Sequence, residues 1–279
     1  MTLGECLKEA VDLLRPCSDE AVLESWMIVT KVTGLKRPVL LSHPERLISE
    51  SDADRVRRMC ARRQQGTPLP YLLEEWKFYG RSFEVNPAVL IPRPETEMLA
   101  ERGIGFLKAH PEIREALDVG TGSGCIAVTL LLAVPGLECT AVDISPEALE
   151  TAKRNALRNG CDSAFHPVLG NLTTSLESVP RLICANLPYI PSETCTTLEV
   201  AKHEPLTALD GGPDGFELYR ALFSDIRNKM EEGTLILCEI EYRQKETALQ
   251  CAAEFFPTAG ISVRDDLAGL PRMLEIMYE

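Results

Sequence analysis

A glycine-rich turn set between a strand and a helix constrains this chain more than any other feature. Ala116-Leu117-Asp118-Val119 reads as a strand, Gly120-Thr121-Gly122-Ser123-Gly124 as a tight turn, and the apolar run from Cys125 as a helix. Glycines at such a turn permit positive φ and let a ligand approach the backbone closely. Apolar strand candidates at 115–119, 138–143, 164–169, 181–185 and 234–240 alternate with helical stretches. Alternation of this kind needs crossover connections. Residues 97–279 are therefore expected to form an α/β unit, Rossmann-like, with a mostly parallel sheet and helices on both faces. The last two strand candidates, 261–264 and 273–277, lie too close together for a crossover and predict an antiparallel C-terminal hairpin.

The region before this unit has a different period. Leu3, Cys6, Leu7, Ala10, Val11 and Leu14 fall at helical spacing, and Pro16 stops the run. A second helix is expected after Ser18, with Val22, Trp26 and Val29 on one face, ending near Gly34. Ser51 followed by Asp54 predicts the cap of a third helix that closes at Gly66. Residues 1–76 thus read as a small helical domain. Residues 77–96 read as a connector. Lys77 to Val85 has the aromatic and β-branched content of a hairpin around Gly80, and Pro92 and Pro94 force an extended path, so a helix can begin only after Pro94.

Composition narrows the function. Acidic residues number 42 against 29 basic, a formal net charge of −13, which argues against broad nonspecific nucleic-acid binding. The longest apolar run, around Ile126 to Val134, is about half of the ~20 residues that a membrane span needs. The N-terminus lacks a basic head followed by an apolar stretch, so no secretory signal is expected. The ten cysteines include no Cys-x-x-Cys pair, and the four histidines are scattered. This pattern fits reduced cysteines serving as small hydrophobes in a cytoplasmic protein, with no metal site.

Gly120, Thr121, Gly122, Ser123 and Gly124 follow Gly-x-Gly-x-Gly spacing. That is neither the dinucleotide fingerprint nor a P-loop, which would end in Gly-Lys-Ser/Thr. Asp143 ends the next strand, where a carboxylate can accept hydrogen bonds from both hydroxyls of a ribose. Together, loop and acid predict a nucleoside site. Leu182-Ile183-Cys184-Ala185 then runs into Asn186-Leu187-Pro188-Tyr189. Ligands of open α/β sheets sit at the carboxyl ends of strands, so this tetrapeptide is expected beside the glycine loop. The Asn186 oxygen can accept one N–H of a planar amide or amino group. A backbone carbonyl, expected to be that of Leu187, can accept the other, and Tyr189 offers a stacking face.

These residues resemble the class I S-adenosylmethionine-dependent methyltransferases that modify planar nitrogens. More specifically, the chain resembles the PrmC/HemK family, the release factor glutamine methyltransferases. The resemblance rests on Gly66 to Leu72, Leu90 to Glu97 with its Pro-Arg-Pro-Glu-Thr-Glu element, Asp118 to Cys125, Asn186 to Tyr189, and Glu204 to Gly212. It implies S-adenosyl-L-methionine as cofactor and class-1 peptide chain release factors as partners, methylated on the glutamine of a Gly-Gly-Gln motif. It places Asn186, Leu187, Pro188 and Tyr189 in the catalytic role. Gly120 to Gly124, Asp143, Asn171, Leu172 and Asn186 take the cofactor.

Three features depart from the family pattern, one of them the C-terminal Ala268-Gly269-Leu270-Pro271-Arg272, only a loose version of it. Leu187 replaces the usual first proline of Asn-Pro-Pro-Tyr. Asn171 stands where an acidic residue is common, and Leu172 where an aromatic is. Two other functions compete. One is an adenine-N6 methyltransferase acting on RNA or DNA, because Asn-Leu-Pro-Tyr is a form such RNA enzymes use. The other is a non-catalytic cofactor-binding scaffold. The acidic charge and the Pro-Arg-Pro-Glu-Thr-Glu element weigh against the first, and the intact Asn186 and Tyr189 against the second. Between Leu35 and Gly66 eight basic residues face four acidic ones, either a solvated helix surface or a docking patch that includes Arg58, Arg62 and Arg63.

Overall fold

The computed structural model describes residues 1–278, and the chain divides between Glu75 and Trp76 into two compact units. The first unit is helical: α1 (Leu3–Leu14), α2 (Ala21–Thr33), α3 (Arg37–Ser42), α4 (Glu50–Gln64) and α5 (Leu69–Leu73). A capping box opens α1. The Thr2 hydroxyl accepts from the Glu5 amide at 3.2 Å, and the Glu5 carboxylate accepts from the Thr2 amide at 2.8 Å. Gly34, left-handed at φ 69°, ends α2.

Two local expectations are corrected. The cap of α4 is Ser49, whose extended backbone lets its hydroxyl accept from the Asp52 amide at 3.0 Å; Ser51 lies inside the first turn. The buried face of α2 is also rotated. Val22 is 57% exposed, and the inner face carries Ala21, Ser25, Ile28, Val29 and Val32 together with Glu24. Polar residues occupy that face because each has a partner: Ser25 donates to the Ala21 carbonyl at 2.6 Å, and Glu24 accepts a fork from Arg63 at 2.9 and 3.0 Å. Arg57 is likewise taken up by Glu9 and Asp54. Of the three patch arginines named from sequence, Arg58 and Arg62 are exposed and Arg63 is committed to Glu24.

The second unit begins with the hairpin β1 (Trp76–Phe78) and β2 (Arg81–Phe83). Its turn residues Tyr79 and Gly80 both have positive φ, the geometry whose twist matches paired strands. After an extended passage and one 3-10 turn at Pro94–Thr96 come α6 (Glu97–Ala109), β3 (Glu115–Val119), α7 (Cys125–Ala133), β4 (Glu138–Asp143), α8 (Pro146–Asn159), β5 (Phe165–Leu169) and β6 (Leu182–Ala185). Then follow the single-turn α9 (Ser192–Cys195), α10 (Glu217–Ile226), β7 (Thr234–Glu239), α11 (Lys245–Phe255), β8 (Gly260–Asp265) and β9 (Pro271–Tyr278).

The seven-stranded sheet has the order β5-β4-β3-β6-β7-β9-β8. The first five strands are parallel, and β9 lies antiparallel to both β7 and β8, as the short final connection required. Alternate strand residues feed two cores. Leu182, Cys184, Leu235 and Leu237 pack with α6 and α7, whereas Ile183, Ala185, Ile236 and Cys238 pack with α10 and α11. All ten cysteines are free, and only Cys17 is exposed. Among the described residues no helix is long and apolar enough to cross a membrane.

The Glu24–Arg63 pair yields a stability prediction. Arg63→Ala leaves the mostly buried Glu24 carboxylate with only the Ser18 hydroxyl as a donor and should cost about 3 kcal/mol. Arg62→Ala should stay within about 0.5 kcal/mol of wild type. Urea unfolding of both variants checks this, and equal midpoints would refute a structural role for the pair.

Candidate active site

The glycine turn is built as its spacing required. Gly120, Gly122 and Gly124 adopt φ of 72°, 54° and 78°, a region that side-chain-bearing residues rarely occupy. The amides of Gly120 and Thr121 both donate to the Val142 carbonyl, at 2.9 and 3.0 Å, and so lace the turn to β4. Gly124 caps α7, where a Cβ would stand 3.1 Å from that of Ala152.

Asp118 holds the turn from below, and sequence reading did not name it as a site residue. One carboxylate oxygen accepts from the Thr121 hydroxyl at 2.7 Å and from the Ala127 amide, in the first turn of α7, at 3.2 Å. The other oxygen is buried without a partner. Desolvation pushes the carboxyl up to about 6, against the opposing effect of these two bonds. The available signal was an acidic residue inside an otherwise apolar strand.

Asp143 ends β4 beside the turn. One of its oxygens accepts from the Gly122 amide at 2.8 Å and the other from the Ser145 amide at 2.9 Å, which fixes the carboxylate and leaves a lone pair on each oxygen for a ligand. Burial raises its pKa, and the amide bonds oppose the rise.

A cavity of about 290 Å³ opens between the turn, the end of β4 and the segment after β6. Gly120, Thr121, Gly122, Ser123, Asp143, Asn171, Leu172, Asn186, Leu187 and Pro188 line it, so these sequence-named residues converge. Gly124 lies outside the lining, and Tyr189 lines a second cavity of about 150 Å³. The two cavities share Leu90, Asn186, Leu187 and Ala208. Asn186 therefore stands where they meet.

The segment after β6 is tightly fixed. The Leu187 amide donates to the Tyr219 hydroxyl at 3.2 Å, and the Leu187 side chain would meet a Cβ on Gly120 at 3.0 Å. The Gln244 amide donates to the Tyr189 carbonyl at 2.8 Å. Gly211 lets the chain pass against the Pro188 carbonyl, which a Cβ would approach to 2.6 Å. The Asn186 amide nitrogen donates to the Thr96 hydroxyl at 3.0 Å; Thr96 donates to Glu239 at 2.6 Å, and so does the Tyr189 hydroxyl at 3.1 Å.

Thr96, Glu239 and Glu204 were not named as site residues from sequence. Glu204, 6% exposed, accepts from the Ile91 amide at 3.0 Å and from Arg93 at 2.5 Å. It thereby holds the proline segment that supplies Leu90 and Pro92 to the cavity wall. No spacing rule relates residues so far apart in the chain.

The cavity tests well against S-adenosylmethionine. Its lining includes Asp143 and Asp210 but no lysine or arginine, a charge balance that suits a sulfonium and a ribose and would leave a pyrophosphate unpaired. Val142, Ile144 and Leu172 give the cavity apolar walls. Among the described residues no cluster of potential metal ligands is present.

Comparison with known proteins agrees with this geometry. Residues 5–73 match the family model for the PrmC N-terminal domain, and residues 99–202 that for the methyltransferase small domain. The chain is 37% identical to the release factor glutamine methyltransferase of Koribacter versatilis, covering 98% of each protein. It is 36% identical to the protein of that name from Nitratidesulfovibrio vulgaris, covering 98% of this chain and 94% of the relative. Among solved structures, the hMettl16 catalytic domain in complex with a MAT2A 3′UTR hairpin shares the fold at a TM-score of 0.57 and 14% identity, over 83% of both chains.

Two predictions follow from the carboxylates. Asp143→Ala should weaken S-adenosylmethionine binding by roughly tenfold or more, since a charged hydrogen bond contributes about 1.5–3 kcal/mol; an unchanged calorimetric affinity would remove Asp143 from the site. Asp118, whose folded pKa of about 6 exceeds its ordinary 3.8, favours folding most when protonated. Its contribution should be complete below its unfolded pKa and lost as pH rises through about 6. Thermal unfolding should show wild type gaining stability over Asp118→Asn between pH 7 and 5; parallel profiles would count against a buried, shifted carboxyl.

Proposed function

The chain belongs to the family of release factor glutamine methyltransferases, and from that premise we propose that it methylates the side-chain amide nitrogen of the glutamine in the Gly-Gly-Gln motif of class-1 peptide chain release factors. When bound, S-adenosylmethionine supplies an electrophilic methyl group on a sulfonium. The glycine turn and Asp143 are assigned to hold the cofactor's amino-acid and ribose portions. Ile144 and Leu172 flank the purine, with Asn171 at its edge in place of the family's acidic residue.

An amide nitrogen is a weak nucleophile because its lone pair is delocalised into the carbonyl. Asn186 Oδ1 and the Leu187 carbonyl are assigned to accept its two hydrogens. That orientation aims the nitrogen at the methyl carbon within the roughly 3–3.5 Å that reaction needs. Leu187, where the family usually has proline, still supplies a carbonyl, and its side chain is packed against Gly120, which limits the mobility that loss of the ring would introduce. Pro188 lines the larger cavity and Tyr189 the smaller. The observation that carries this reading is the position of Asn186, an amide with an unpaired oxygen where the two cavities meet. The helical unit is assigned to recognise the folded release factor, with Arg58 and Arg62 as its exposed charges, and the place of action is the cytoplasm.

Methyl transfer from tritiated cofactor to purified release factor, ribosomal RNA and DNA tests the assignment. Label is expected in the release factor only, at the Gly-Gly-Gln glutamine. Label in either nucleic acid instead would favour an adenine-N6 activity, and none in any substrate a binding scaffold. Asn186→Ala should abolish turnover while cofactor affinity stays within a few fold; a wild-type single-turnover rate in this variant would make Asn186 a turn residue only.

A further inference from the structure

The buried network behind Asn186 has a direction, and that direction sets which face of the amide meets the substrate. Glu239 ends β7, is 2% exposed, and accepts a hydroxyl on each oxygen, Thr96 on one and Tyr189 on the other. A carboxylate with a donor on each oxygen is an acceptor at both. With Glu239 ionised, the single proton of the Thr96 hydroxyl is spent on it, and Thr96, itself 2% exposed, can only accept from its other neighbour. That neighbour is Asn186 at 3.0 Å, which must present its NH₂ group. Its oxygen is then left for the cavity. With the amide turned over, Asn186 would set an oxygen against the lone pairs of Thr96 and offer the substrate N–H a donor in place of an acceptor.

Resting on the methyltransferase reading above, we propose that Thr96 and Glu239 are positioning residues whose one-way relay locks the Asn186 amide with Oδ1 toward the nucleophilic nitrogen. Neither needs to touch the reacting atoms. Thr96 comes from the segment before α6 and Glu239 from the end of β7, so the relay also makes the orientation of Asn186 depend on three separated stretches of chain meeting correctly.

The test compares Thr96→Val, which keeps the shape but removes the hydroxyl, with Thr96→Ser, which restores it. For Thr96→Val, kcat on intact release factor should fall roughly 10–100-fold, the scale set by misplacing a catalytic group. KM and calorimetric affinity for S-adenosylmethionine should change less than about twofold, because uniform binding is untouched. Thr96→Ser should recover most of the rate. Wild-type kcat in Thr96→Val, or no recovery of rate in Thr96→Ser, would overturn the relay.

A second measurement is independent of substrate. The side-chain NH₂ signals of Asn186, identified by their loss in Asn186→Ala, should be protected from hydrogen exchange in wild type and Thr96→Ser and unprotected in Thr96→Val. If wild type leaves release factor unlabelled while the signals behave this way, the substrate assignment fails and the relay stands. If the signals are unprotected in wild type, the relay fails whatever the substrate. Should Thr96→Val not fold, Thr96→Ala serves the same comparisons.

Discussion

Parallel strands that leave a shared central strand in opposite directions cannot keep their connecting loops together, and the site exists because of that constraint. Next to β3, the sheet steps to β4 on one side and to β6 on the other. The chain leaving β3 turns toward α7, and the chain leaving β6 turns the other way, so a crevice opens at their carboxyl ends. Glycine residues are needed at 120 and 122 because the backbone must reverse inside that crevice without side chains filling it, and at 124 because Ala152 crowds the turn into α7. The C-terminal residues of β3, β4 and β6 are then neighbours through the sheet's register, with Val119 opposite Val142 and Ala185.

The crevice is held open by buried carboxylates, which are costly on their own. Asp118 and Glu239 sit at buried positions of β3 and β7, and burial raises the pKa of each. Neither has an ion-pair partner at bonding distance; each is stabilised by neutral hydroxyl or amide donors. An apolar side chain would pack better at either place, but it could not fix the direction of a hydrogen bond. Asp118 fixes the glycine turn against the start of α7, and Glu239 fixes Thr96 and Tyr189. The same trade is visible in the helical unit, where Glu24 is accepted inside because Arg63 reaches it.

Much of this was legible in the residue order, for a local reason. Strand and helix periods, the glycine spacing, Asp143 at a strand end and the Asn-Leu-Pro-Tyr turn are each written within a few consecutive residues. Each also acts through backbone geometry that its own neighbours impose. The antiparallel ending could be read in the same way, from a connection too short to cross the sheet. Periodicity failed on α2 because Glu24 and Ser25 are polar yet buried; their partners, Arg63 and the Ala21 carbonyl, remove the desolvation cost that the pattern assumes.

Taken by itself, the sequence determined the fold class, the glycine turn and most of the named residues that line the larger cavity, because those follow from local sterics and from the alternation of strands and helices. Only the tertiary structure decided which remote groups support them. Thr96 and Glu239 are separated by most of the second unit, as are Ile91 and Glu204, and no period or motif links their positions. Their meeting depends on the order in which the strands assemble. Strand order comes from packing both faces of the sheet at once, and a linear pattern does not carry it.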